Sequence, residues 1–147
     1  MAAEKTLMIK NTDSGILTIR LSDILNCIND GERYYWTILW IDAMGDPNGF
    51  YVLEFDEEIN KSPDGYILDW EELIKLSRHP NQILDLLVIG DQEKSNLHRY
   101  SSDEEMNNKC KYVLELVDSS YWLVSIKDES TIGKIKSELP GVTEYLV

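Results

Sequence analysis

The tetrapeptide Asp46-Pro47-Asn48-Gly49 stands between two apolar runs and constrains the fold more than any other feature of the chain. Proline suits the second position of a type I turn and glycine the left-handed position that follows. The stretch therefore predicts a hairpin of strands Tyr34 to Ala43 and Phe50 to Phe55. With Pro47, Asn48 and Gly49 as the loop, Asp46 faces Phe50, Met44 faces Val52, Asp42 faces Glu54 and Trp40 faces Asp56. Side chains alternate along a strand, so the hairpin has two faces. One carries Tyr35, Thr37, Leu39, Ile41 and Ala43 with Tyr51, Leu53 and Phe55, and is the expected core face, with Leu39, Ile41, Leu53 and Phe55 at its centre. The other mixes Tyr34, Trp36, Ile38, Trp40, Asp42 and Met44 with Phe50, Val52, Glu54 and Asp56. Three acids with no base among them cannot neutralise one another, so that end of the face is expected to be wet or matched by cations from elsewhere.

Further along, Glu57 to Leu68 shows no clear periodicity and reads as a surface loop turning at Ser62-Pro63-Asp64-Gly65. Asp69 caps a helix with Glu72 at the capping-box position and Trp70, Leu73, Ile74 and Leu76 as its apolar side, stopping near His79-Pro80. Gln82 to Gly90 fits a helix or a buried strand, and we read a helical start with an extended end. Ser101 and Ser102 lead into a short helix opened by Asp103, Glu104 and Glu105. KYVLELV and YWLVSIK form a second hairpin across Asp118-Ser119-Ser120. Ile132, Ile135 and Leu139 stripe a last helix that Pro140-Gly141 stops before the strand VTEYLV. Near the start, Ile16 to Arg20 reads as a strand before a helix opened by Ser22 and closed at Asn29-Asp30-Gly31. The 147 residues are the size of one domain. The fold class is α+β, a single domain over 1–147 with helices packed on a mostly antiparallel sheet, a mixed sheet being the alternative.

Charge narrows the function. With 27 acids against 14 bases the net charge is −13, which repels phosphate backbones and anionic lipid and attracts basic proteins. Nucleic acid and membrane are thus excluded as expected partners. The acids are concentrated, ten between Asp42 and Glu72 against one base, Lys61. Absence of an apolar leader at MAAEKTLMIKNTDSG, and of an apolar run long enough to span a bilayer, leads us to expect a cytoplasmic protein. Cys27 and Cys110 read as buried free thiols.

No catalytic signature is present. His79 and His98 form no metal-ligand spacing, and no nucleophile elbow, phosphate loop or dinucleotide fingerprint occurs. We expect no metal, no cofactor and no catalytic residues. What remains is large aromatics ringed by carboxylates, the composition of an interface for a basic partner. The expected partner-binding residues are Trp36, Trp40, Asp42, Glu54 and Asp56, extended by Glu71 and Glu72. One alternative is a module for a small cationic ligand or peptide, with Trp36, Trp40 and Trp70 lining a pocket. Another is a small enzyme using Asp42 and Glu54 as paired carboxylates.

In character the chain resembles the immunity proteins that protect bacteria from toxic nucleases and related toxins. The likeness rests on Trp36, Trp40, Asp42, Glu54, Asp56 and the run Asp69-Trp70-Glu71-Glu72 in a short acidic α+β chain. The resemblance implies an inhibitor that neutralises a basic toxin domain by occlusion.

Overall fold

The computed structural model describes residues 6–10, 17–43, 52–78 and 83–145, with backbone alone at 52–56 and 145. In chain order the elements are β1 (Thr6–Lys10), α1 (Leu21–Leu25), a 3-10 turn at Gly31–Arg33, β2 (Tyr35–Ala43), α2 (Val52–Lys61), β3 (Tyr66–Leu68), α3 (Trp70–Ser77) and β4 (Ile83–Asp91). A second 3-10 turn at Lys94–Asn96, α4 (Asp103–Lys109), β5 (Tyr112–Val117), β6 (Tyr121–Ile126), α5 (Glu129–Glu138) and β7 (Val142–Tyr145) complete the described chain. The strands form one antiparallel sheet in the order β3-β2-β4-β5-β6-β1-β7. The α+β class is as the sequence predicts.

Several elements differ from expectation. Residues 52–55 are helical, so the hairpin with β2 does not form, and the turn at Asp46 to Gly49 lies outside the described residues. The run VLEFDEEINK alternates over its first residues, but Val52, Phe55 and Ile59 also recur at helical spacing, and its many glutamates favour a helix. The predicted loop after Glu57 shrinks accordingly. Glu57 to Lys61 continue α2, and only Ser62 to Gly65 separate it from β3. Gly65 has φ +83°, and a side chain there would press on the Ile38 carbonyl oxygen at 2.6 Å, so both conformation and space call for glycine. Gln82 to Gly90 is extended wherever described, as β4, with no helical start. Leu17 to Arg20 is irregular, and the strand near the start is β1 instead. By contrast the capping box of α3 forms as predicted: Glu72 N–H donates to Asp69 Oδ1 at 2.8 Å and Asp69 N–H to Glu72 Oε1 at 3.1 Å. The hairpin β5–β6 turns at Asp118 and Ser119, both with positive φ.

β2 contains the irregularity that decides the rest. Ile38 pairs with Val88, but Trp40, two residues on, pairs with Leu87, so Leu39 is an extra residue and the strand is bulged there. Before the bulge Trp36 and Ile38 point to one face; after it Ile41 and Ala43 do. That first face is covered by α1, α3 and α5, whose Ile24, Leu25, Leu73, Ile132 and Ile135 join it in the main core. Trp36 is its centre, at 0% exposure, tilted against Trp70 and Tyr112 with ring centroids 5.3 and 5.2 Å away. Its indole N–H donates to Gly31 O at 2.8 Å, satisfying the one polar group the ring brings inside. Gly90 lies opposite in β4, where a side chain would collide with the indole at 2.6 Å.

The second face carries a smaller core of Leu39, Ile89, Leu97, Met106, Cys110 and Val113, under α4 and the segment leading to it. Leu39 and Ile41 are both buried, as expected, but on opposite sides of the sheet. Leu53 and Phe55, the other expected core residues, lie in α2, their side chains outside the description. Cys27 and Cys110 are free, buried thiols, and burial is the main reason each is pushed up to about 11.

Candidate functional site

The bulge separates the two tryptophans that strict alternation would place together. Trp36 lies in the main core, whereas Trp40 stands on the second face at 46% exposure. The expected partner surface is therefore corrected. Trp36 has no exposed area to offer, and Trp70 stacks beside it on the same side. Trp36, Trp40 and Trp70 thus line no common pocket. Glu71 and Glu72 are exposed on α3, across the sheet from Trp40, because Leu73 of that helix packs into the main core. Glu54 and Asp56 lie in α2, their side chains outside the description. The register that set Asp42 opposite Glu54 is absent, and Asp42 faces Asp85. Of the expected set, Trp40 and Asp42 remain on one surface.

What adjoins them follows from the strand register. Trp40 is opposite Leu87, Leu87 opposite Glu115, Glu115 opposite Leu123, Leu123 opposite Met8 and Met8 opposite Thr143. Cross-strand partners share a face, so these six side chains form one row across the sheet. At about 4.8 Å per strand the row is on the order of 24 Å long. Leu87, Glu115, Leu123 and Met8 are only half-buried, which marks the row as the part of the second face that α4 leaves open. Beside it lie Asp42 and Asp85, opposite one another in β2 and β4, and Asp103 at the start of α4 is near enough to act on Glu115.

Glu115 is the single charge within the row. Burial, then the carboxylates of Asp103 and Asp85, raise it above the usual carboxylate range. Among the described residues it has neither a hydrogen-bond nor an ion-pair partner. Asp85 accepts the Asp118 N–H at 2.8 Å. In β1, which supplies Met8 to the row, Lys10 lies over the Tyr121 ring, 5.9 Å from the centroid. Lys127 reaches the Asn108 carbonyl oxygen of α4. Sequence reasoning missed Glu115, although the signal was there: in YVLELV it is the one charge of a strand whose Leu114 and Leu116 belong to the main core.

Arg99 holds this surface in shape. Its guanidinium donates to Leu39 O of the bulge at 2.6 Å and, at 2.9 Å each, to Ser62 O and Ile59 O at the end of α2. One planar cation thus joins the bulge carbonyl to carbonyls at the end of a helix, of which Ile59 O also accepts the Ser62 N–H and hydroxyl. Asn60 completes the clasp, with its side-chain amide accepting Ile41 N–H and donating to Ile41 O at 3.0 Å each, where β3 no longer pairs with β2.

Among the described residues no group of three or more His, Cys, Asp or Glu is placed to hold a metal ion, and no helix is long and apolar enough to cross a membrane. His98 Nδ1 lies 2.9 Å from Arg99 O with its ring against Tyr100, and His79 lies outside the description. In comparisons with known proteins no family model matches the chain, and neither a curated protein nor a solved structure shows significant similarity to it.

Proposed function

We propose that the chain binds a basic protein through the open half of the second sheet face and blocks that partner's working surface, as an immunity-type inhibitor acting in the cytoplasm. The observation that carries this reading is Trp40, nearly half exposed at the head of a partly open apolar row, with Asp42 and Asp85 beside it and no ion pair at either among the described residues. A tryptophan supplies contact area at small entropic cost, and unpaired acids steer a basic partner and set its register. The net charge of −13 opposes pairing of the face with a second copy of the chain.

Affinity capture from the native host at low salt, followed by identification of the bound protein, tests the reading. Trp40→Ala should weaken binding of the captured protein by about 2 kcal/mol or more, roughly thirtyfold. Asp42→Lys should act mainly by slowing association and flattening its salt dependence. Glu71→Lys, across the sheet, should leave contact affinity close to that of the wild type. A captured protein indifferent to both Trp40→Ala and Asp42→Lys would place the interface elsewhere.

A further inference from the structure

The central position of Glu115 says more about what the partner must present. A carboxylate set between Leu87 and Leu123 in the middle of an apolar row is costly to cover, because any partner that packs on the leucines also strips water from the acid. Covering the row with the carboxylate still charged costs least if the partner brings a cation to that point. We propose that the row is a receptor for an apolar segment of the basic partner that carries one arginine, whose guanidinium pairs with Glu115 while its neighbours lie on Leu87, Leu123 and Trp40. This deepens the function proposed above and rests on it.

Guanidinium fits the place better than ammonium. It is less strongly hydrated, it meets a carboxylate with two parallel N–H donors, and its flat faces tolerate apolar or aromatic neighbours. Asp85 and Asp103, which already act on Glu115 electrostatically, would add attraction without competing for the same contact. The row is an open strip across several strands, so a free small cation would leave Leu87, Leu123 and Met8 in water; a polypeptide segment covers them. A second copy of this chain would bring further acids to the same strip.

The test uses the folded protein and defined probes. N-acetyl-arginine amide, N-acetyl-lysine amide and N-acetyl-leucine amide are titrated in turn while the amide signals and the Glu115 carboxyl carbon are followed by NMR. Arginine should shift Glu115, Leu87 and Leu123 together and bind several-fold more tightly than lysine, with leucine producing no saturable shift at Glu115. Glu115→Gln should abolish the arginine response at all three residues. This variant is expected to fold, because the raised carboxyl means that its charge costs stability as pH rises above the ordinary value of 4.5, and glutamine removes that cost. Equal shifts at the exposed acids of α3, or an arginine response that persists in Glu115→Gln, would overturn the inference. The captured partner separates the two proposals. If its binding depends on Trp40 but not on Glu115, the arginine receptor falls and the docking face stands; if it depends on neither, both fall.

Discussion

Trp36 and Trp40 lie four residues apart in one strand, and their replacement by alanine should have opposite consequences. Trp36 is fully enclosed by Tyr34, Trp70 and Tyr112, with its N–H bonded to Gly31 O, so Trp36→Ala should cost about 3–5 kcal/mol of stability in denaturant unfolding. Trp40→Ala should stay within about 0.5 kcal/mol, as for an ordinary surface position. Equal losses would mean that Trp40 is packed. The sequence made the aromatic richness of this strand plain but assigned both tryptophans to one side, because alternation assumes that every residue counts. One extra residue at Leu39 reverses the parity beyond it. Nothing local in RYYWTILWIDA announces that residue, since a bulge at leucine needs neither glycine nor proline. Its anchor, Arg99, is distant in sequence and recognisable only in three dimensions.

At the scale of elements, features encoded within a few residues were the legible ones. The Asp69–Glu72 box, the Ser102 cap and the β5–β6 turn each satisfy their own backbone locally, so the sequence suffices to place them. The segment 52–61 was not legible in the same way, because its apolar spacing fits both periods over the first turn and the choice is made by Arg99 and Asn60, which tie its end to β2. β4, apolar almost throughout, is buried in part by both cores, and a run without alternation gives no period to read. The clasp is open to test. Arg99→Met keeps the apolar stem but takes the guanidinium from the carbonyls of Leu39 and Ser62, while Ile59 O keeps the Ser62 N–H and hydroxyl, and should cost about 2–4 kcal/mol. Measured against the captured partner, the same variant should also weaken binding by loosening the strand that presents Trp40. A variant as stable as the wild type would show that water replaces the guanidinium at no cost.

At the scale of the molecule the described residues form two cores, one on each side of a shared sheet, and each contains a cysteine. Cys27 belongs to the main cluster and Cys110 to the smaller one, and both are held near 11 by burial. At pH 8 in native buffer neither thiol should react appreciably with iodoacetamide, and both should react in denaturant. If the chain is one cooperative unit, as its length predicts, the two cysteines should become reactive at the same denaturant concentration. Earlier labelling of Cys110 alone would show that the α4 side opens independently of the sheet. The sheet itself argues for closure late in the life of the chain. β1 is seated between β6 and β7, with Thr6 opposite both Ser125 and Tyr145. On the ribosome its neighbours are among the last described strands to emerge, so β1 must wait with both edges unpaired while the residues between are synthesised. Chaperones that shield exposed strand edges would find their substrate there, and the yield of folded protein should depend on how quickly translation reaches β7.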